Sequence, residues 1–243
     1  MNQAKKGLVV YKGKSRLDDK PIVGIITRFS SNRKTGAMDQ LWILREDINP
    51  LTAVKKGGDV SVCGDCKHRP SLGGACYVKV FQAPNQVWKT YKAGRYEDVP
   101  FHQISSKVFG GAIRLGAYGD PAAIPVEILQ EVVRGYRKYT GYTHQWKRFP
   151  AVGELCMAST DNLGEYLEAK SLGMRSFRVT ESYDTLQNGE IICPSDKVGL
   201  TCIECGLCDG NNKAKAKDIV IQVHGAKKNK FKETVPSNMV MGA

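Results

Sequence analysis

Four cysteines near the carboxyl end of the chain are spaced as metal ligands. They follow the pattern C-x8-C-x2-C-x2-C, and they are Cys193, Cys202, Cys205 and Cys208. Four thiolates so close in sequence can close around one tetrahedral zinc ion. A C-x2-C-x2-C run is also typical of iron–sulfur ligation, where proline often neighbours a cysteine, and Pro194 follows Cys193 here. The spacing therefore predicts a metal centre, with zinc and a 4Fe-4S cluster as alternatives.

A second group of three cysteines lies earlier in the chain. Cys63, Cys66 and Cys76 share a Gly- and Pro-rich loop, and His68 stands two residues beyond the second of them. If His68 is a ligand, the group forms a closed Cys₃His site with a structural role. If His68 is not a ligand, three thiolates leave one iron of a cluster open to a substrate or cofactor. The remaining cysteine, Cys156, stands in an apolar run and is expected to be a small core residue.

An α/β fold must position these Cys-rich metal-binding loops. After about residue 108, short apolar runs alternate with helical segments, which is typical of parallel strands joined by right-handed crossovers. The pattern predicts an N-terminal strand-rich segment at 1–58, an α/β metal-binding core at 59–225 and a basic C-terminal tail at 226–243. Short strands are also predicted at Pro21–Thr27 and on both sides of the first cysteine loop, at VSV and YVKV. Asn162, with Glu165 three residues on, predicts the capping-box start of a helix.

Polar side chains follow several of the predicted strands. In parallel sheets the reactive groups gather beyond the carboxyl ends of the strands, so these side chains are candidate catalytic residues. They are Asp120, His144, Asp161 and His224. Because Pro121 follows Asp120, an ordinary helix N-cap also accounts for that aspartate. For the two histidines, a functional and a purely structural role are equally supported.

The overall composition restricts the class of protein. Lys and Arg number 36 against 24 Asp and Glu, a net charge of +12, which favours anionic partners and nucleic acid first among them. A solvated basic tail is the alternative explanation. The start of the chain has no secretory apolar core, and no apolar run is long enough to cross a membrane. We therefore expect a cytoplasmic protein whose cysteines serve as metal ligands rather than disulfides.

Several enzyme signatures are missing from the sequence. It contains no P-loop, no G-x-G-x-x-G at a strand–helix junction and no G-x-S-x-G. The expected phosphate-binding or nucleophile motifs of kinases, ATPases, dinucleotide oxidoreductases and serine hydrolases are therefore lacking.

Five short segments occur in an order that resembles one group of proteins. They are Cys76-Tyr77, RLGAYGDPA (114–122), YTHQW, MASTDN, and a late CxxCxxC followed by a strand that ends in His-Gly. Over residues 60–225 the chain is similar to a group of phage and prophage proteins that are distantly similar to radical S-adenosylmethionine enzymes. The usual cysteine motif of those enzymes is C-x3-C-x2-C, whereas this chain has C-x2-C-x9-C.

The resemblance implies a partial (β/α) barrel-like parallel sheet with an iron–sulfur cluster near its top. Cys63, Cys66 and Cys76 would hold that cluster, and the late four cysteines would hold an auxiliary cluster or zinc. The cofactor, S-adenosylmethionine, would then lie near Gly116, Tyr118 and Gly119. If the protein is phage-encoded, its location would be the cytoplasm of the host cell.

Two functions from different classes follow. The first is an iron–sulfur enzyme, similar to radical S-adenosylmethionine enzymes, that acts on an unknown substrate. The second is a zinc-stabilised nucleic-acid-binding protein of phage replication or transcription. In the second case basic residues with interleaved aromatics, at 88–96 and 136–149, would contact phosphates and stack on bases.

Overall fold

A computed structural model describes residues 7–29, 32–211 and 217–233 of the chain. The first six residues of the strand-rich segment and residues 234–243 of the predicted basic tail lie outside the described part.

The described residues form two β-sheets. The strands are β1 (Gly7–Lys14), β2 (Pro21–Thr27), β3 (Asp39–Arg45), β4 (Glu97–Asp98), β5 (Ala112–Tyr118), β6 (Lys138–Thr140), β7 (Tyr142–Thr143), β8 (Met157–Thr160), β9 (Ser176–Thr180), β10 (Glu190–Ile192) and β11 (Asp218–Gln222). The helices are α1 (Pro50–Lys55), α2 (Val60–Cys63), α3 (Ala83–Lys92), α4 (Ile104–Lys107), α5 (Val126–Arg134), α6 (Leu163–Ser171), α7 (Pro194–Lys197) and α8 (Cys202–Cys205).

The first sheet has the strand order β4-β1-β2-β3-β5-β6. Strands β1, β2 and β3 pair antiparallel, and β3, β5 and β6 continue the sheet in parallel. Ile22, Val23, Ile25 and Ile26 of β2 are completely buried. A central strand covered on both faces needs such a continuous run of β-branched residues. The N-terminal strands thus share a sheet with strands of the predicted core segment.

The second sheet is entirely parallel, with the order β10-β11-β9-β8-β7. It meets the first sheet at Gly141, which separates β6 from β7 along one stretch of chain. The amide of Gly141 donates to the Cys208 carbonyl, and its own carbonyl accepts from Met157. A Cβ at this position would lie 2.6 Å from the Cys156 sulfur, so the close approach requires glycine. The expected α/β class, with mostly parallel pairing, is confirmed.

The helices follow the signals in the sequence closely where those signals are strong. Helix α5 buries Leu129 and Val132 against the first sheet's core. Helix α6 begins where Asn162 Oδ1 accepts from the Glu165 amide, and the Glu165 carboxylate accepts from the Asp161 amide. The Asn162 cap is as predicted, and Glu165 binds the amide of the residue before the cap.

The two strands predicted beside the first cysteine loop are wrong. Residues 60–63 form helix α2, and residues 77–80 belong to no strand. The Asp59 carboxylate lies just before α2 and accepts hydrogen bonds from Ser71 and Arg69 farther along the loop. These tertiary contacts outweigh the weak strand preference of a three-residue Val-Ser-Val segment.

Candidate metal centre

The carboxyl ends of β5 and β7 are joined through Asp120. Its carboxylate accepts from the Ala122 amide at 3.0 Å, from Thr143 Oγ1 at 2.7 Å and from the His144 amide at 2.8 Å. Asp120 therefore caps only the short turn at Pro121–Ala123, and α5 begins later, at Val126. Burial raises the pKa of Asp120, although the hydrogen bonds and the nearby His144 oppose that shift. The carboxylate positions the backbone that carries His144.

The first cysteine loop is anchored to the same strand ends. The Asp120 amide donates to the Val62 carbonyl at 2.6 Å, one residue before Cys63. From the end of β7, Gln145 Nε2 donates to the Cys63 carbonyl at 3.2 Å and to Asp65 Oδ1 at 2.6 Å. The loop is thereby held against the carboxyl edge of the parallel strands.

The thiols of this loop lie near one another in a half-buried space. Burial raises the pKa of Cys63 well above its usual value, and the neighbouring Cys66 and Cys76 raise it further. Burial also raises the pKa of Cys76, and Cys66 adds to the shift. Thiolates are the metal-binding form, so they need a compensating cation in such surroundings. A bound metal or cluster would supply that charge.

His68, His144 and Asp161 meet beside these thiols. His68 Nε2 lies 2.8 Å from Asp161 Oδ2, and the two imidazole centroids are 5.8 Å apart. One ligand atom from each of the three residues lies within 4.8 Å of the others. His68 also stacks on Phe231 at 5.5 Å between ring centroids, and Phe231 is buried.

The charges in this group are strongly coupled. Burial by itself lowers the pKa of His144, but the Cys66 thiol and the carboxyl groups of Asp161 and Asp120 raise it to about 10. Burial by itself raises the pKa of Asp161, but the two imidazoles, His68 first, lower it to about 2. The three strand-end candidates Asp120, His144 and Asp161 are therefore brought together with the first cysteine loop.

His224 lies apart from that group. Its ring stacks on Tyr77 with 5.7 Å between centroids, and its Nδ1 lies 3.3 Å from the Gln222 carbonyl. Gly225, with φ of 95°, lets the chain turn against Tyr77. Since Tyr77 directly follows Cys76, His224 borders the outgoing arm of the first loop.

The three predicted cofactor-binding residues lie at the end of β5. The Tyr118 hydroxyl is buried without a hydrogen-bond partner among the described residues. Burial and then the charges of Cys63 and nearby groups raise its pKa. Gly116 and Gly119 have positive φ, and a Cβ on either would lie 2.7 Å from a neighbouring backbone or Ile43 side-chain atom. Local packing thus accounts for both glycines, whereas the Tyr118 hydroxyl is an unsatisfied group at the thiol site.

The second cysteine group encloses a small cavity. Cys193 follows β10 directly, and Cys202 and Cys205 bound α8, which Thr201 and Glu204 cap reciprocally. All four cysteines line a cavity of about 20 Å³ together with Tyr142. Burial raises the pKa of Cys208 to about 12, and the other three thiols contribute to the shift. The sequence prediction that these four cysteines act together is consistent with this geometry.

Two arginines at this site, the buried Arg175 and the half-buried Arg114, were not predicted as site residues, because their contacts are long-range. Arg175 donates to the carbonyls of Leu207, Gly210 and Lys217 and to the Asp209 carboxylate, and so clamps the chain around Cys208. These contacts are with residues 32 to 42 positions after Arg175, so no local sequence pattern could predict them.

Arg114 connects the two cysteine groups. It donates to the Tyr77 hydroxyl and lies 5.9 Å from the ring centroids of Tyr77 and Tyr142. Burial by itself lowers the pKa of Arg114, but the two tyrosines and Cys202 raise it above its usual range. Its Nε is buried and has no hydrogen-bond partner in the described part of the chain. A net negative charge on the second thiol group would offset this half-buried cation.

Comparison of the chain with protein-family models, curated proteins and solved structures found no match. Among the described helices, none is both long and apolar enough to cross a membrane. The function has therefore to be inferred from the chemistry of the site itself.

Replacement of Gly64 with alanine is expected to disturb the first thiol group. Gly64 has φ 60° and ψ −135°, and an added Cβ would lie 2.4 Å from the buried amide carbon of Gln145. Strain and the displaced Gln145 hydrogen bonds should lower the free energy of unfolding by about 2–4 kcal/mol. Chemical denaturation and metal content of the purified variant measure the effect.

The matched control is Gly57→Ala, because Gly57 also has positive φ (72°) but no atom within 4 Å of an added Cβ. It should cost about 1 kcal/mol and leave the metal content unchanged. Equal effects of the two substitutions would show that contact with Gln145 is unimportant.

Proposed function

We propose that this chain is a phage-type metalloprotein that acts as an iron–sulfur enzyme similar to radical S-adenosylmethionine enzymes. In this proposal Cys63, Cys66 and Cys76 hold the catalytic cluster and leave one iron open. The observation that carries it is the location of the three thiols. They lie half-buried at the carboxyl ends of the parallel strands, beside Asp120, His144 and Asp161. A purely structural zinc loop has no need of such a position, whereas a catalytic centre does.

The residues around the thiols would position the reactants. Asp120 fixes the turn that carries His144, and Gln145 fixes the loop between Cys63 and Cys66. The Tyr118 hydroxyl is placed to donate to an acceptor atom at the thiol site. A bound cluster would supply the electron that cleaves S-adenosylmethionine, and the chain would supply binding, orientation and exclusion of water.

The remaining features are compatible with this function. The parallel order β3-β5-β6 in the first sheet and β7-β8-β9-β11-β10 in the second, with only Gly141 between β6 and β7 along the chain, supports a partial (β/α) barrel. We propose that the second thiol group holds an auxiliary cluster or zinc. All eight cysteines are free, as thiols are in a reducing compartment, which supports a cytoplasmic location.

Anaerobic purification followed by a visible absorption spectrum and metal analysis on the same sample tests the proposal. We expect a brown protein that contains iron and sulfide, about four irons for each cluster, and that dithionite bleaches. Incubation of the reduced protein with S-adenosylmethionine should then consume that cofactor.

A colourless protein with about two zinc ions per chain would contradict the proposal, because Cys₃His and Cys₄ zinc sites bind one ion each. That result would support the zinc-stabilised nucleic-acid-binding protein instead. Its affinity for nucleic acid should then fall steeply as the salt concentration rises.

A further inference from the structure

We propose that His68, His144 and Asp161 form a separate mononuclear site for a divalent transition-metal ion, next to the thiols of the first cysteine loop. Their ligand atoms lie within 4.8 Å of one another, which is close enough to share one ion. Two imidazoles and a carboxylate suit zinc or iron(II), and such a set leaves coordination positions open for water or substrate. This site goes beyond the proposed iron–sulfur function and does not depend on it.

Unsatisfied polar atoms point to a ligand at this place. Asp161 Oδ1 and His68 Nε2 are buried and have no hydrogen-bond partner in the described part of the chain. His68 Nε2 does lie 2.8 Å from Asp161 Oδ2, but the two groups are not aligned as a hydrogen bond. Buried polar atoms without partners are costly, and a bound cation would satisfy both at once.

The nearest competing cation is peripheral. Lys67 Nζ lies 3.4 Å from Asp161 Oδ2, and 43% of the Lys67 side chain is exposed, against 3% for Asp161. Lys67 can therefore move into solvent when an ion arrives. Lys67 contacts only Oδ2 of Asp161, so Oδ1 of Asp161 has no hydrogen-bond partner among the described residues.

Each of the three ligands is fixed by a different element. The His144 amide donates to Asp120 at the end of β7, and the Asp161 amide donates to Glu165 at the end of β8. The His68 carbonyl accepts from the Cys76 amide within the loop. Phe231 stacks on the His68 ring and covers it from solvent. Ligands held in this way pay little ordering cost when an ion binds.

The proposed site contacts the first thiol group, since the His144 side chain hydrogen-bonds to Cys66. Cys66 nevertheless lies outside the set whose atoms are all within 4.8 Å. Removal of the three thiols should therefore leave the nitrogen–oxygen site intact, which separates this proposal from a Cys₃His zinc site.

Cobalt(II) titration of the full chain with Cys63, Cys66 and Cys76 all replaced by alanine tests the site. We expect about two ions per chain: one with intense sulfur-to-cobalt charge-transfer bands from the second thiol group, and one with weak visible bands only. Asp161→Asn in this background should abolish the second ion. The control is Asp19→Asn, because Asp19 is exposed and lies outside the three-residue set, and asparagine tolerates its positive φ of 61°.

Absence of the weakly absorbing ion, with a folded circular dichroism spectrum, would overturn the proposal, as would equal binding by the Asp161 and Asp19 variants. If the triple variant does not fold, the single variant His68→Gln gives the answer in the otherwise unchanged chain. After anaerobic zinc supplementation it should contain about one zinc fewer than the Asp19→Asn chain, at equal iron. Equal zinc contents would overturn the proposal, whether or not iron is present.

Discussion

Cys63→Ala together with Cys66→Ala is expected to remove one metal centre and abolish catalysis while most of the fold persists. The loop that carries these cysteines is also held by hydrogen bonds from Asp120 and Gln145 that need no metal. Loss of two small half-buried thiols should therefore lower the unfolding free energy by about 1–3 kcal/mol. Iron content, consumption of S-adenosylmethionine and thermal denaturation measure the three effects.

The control for this prediction is Cys156→Ala. Cys156 is completely buried and belongs to neither cysteine group, so its replacement should lower stability slightly and leave iron and activity unchanged. If the double variant is instead insoluble or molten, the first loop is a structural zinc site, because metal binding would then supply the folding energy.

Arg175→Met should destabilise the chain around the second thiol group by about 3–5 kcal/mol, the range for breaking a buried ion pair. The guanidinium makes five hydrogen bonds, at 2.7–3.1 Å, to Leu207, Asp209, Gly210 and Lys217. Methionine fills similar space but donates nothing, so three buried carbonyls and a carboxylate lose this donor. Denaturant titration and metal content per chain measure the result.

Arg137→Met provides the comparison, because Arg137 is exposed and precedes a strand of the first sheet. It should change stability by about 0.5 kcal/mol or less. Loss of metal from the second cysteine group in the Arg175 variant, while the first group keeps its metal, would show that the Arg175 hydrogen bonds act locally. Similar unfolding free energies of the two variants would show that these hydrogen bonds do not stabilise the chain around Cys208.

The sequence predicted an element correctly where the signal for that element lies within one short segment. Strand β2 has the predicted bounds Pro21–Thr27, and helix α6 begins at the predicted Asn162 cap. The run of β-branched residues and the Asn162 cap each involve only a few neighbouring residues. Both can therefore be recognised from the sequence before the fold is known. The polar residues beyond β5, β7 and β8 were predictable in the same way, because strand ends can be found from apolar runs.

The elements and site residues that the sequence did not predict depend on long-range contacts. Strand β10 has three residues and helix α8 has four, too few for a local pattern to show. The predicted strand at 60–62 is a helix because Asp59 and Val62 are bonded to distant parts of the chain. His224 follows a predicted strand but lies against Tyr77, apart from Asp161.

The sequence by itself predicted which residues have the chemistry of metal ligands, because thiol and imidazole chemistry and short cysteine spacings are local properties. It also determined the α/β class, through the alternation of apolar strands and helices. Only the tertiary structure decided that His68, His144 and Asp161 meet beside the first thiols. Only the tertiary structure placed the buried Arg175 and the half-buried Arg114 at the second group. Those contacts join residues dozens of positions apart, so they exist only once the parallel strands have brought their ends together.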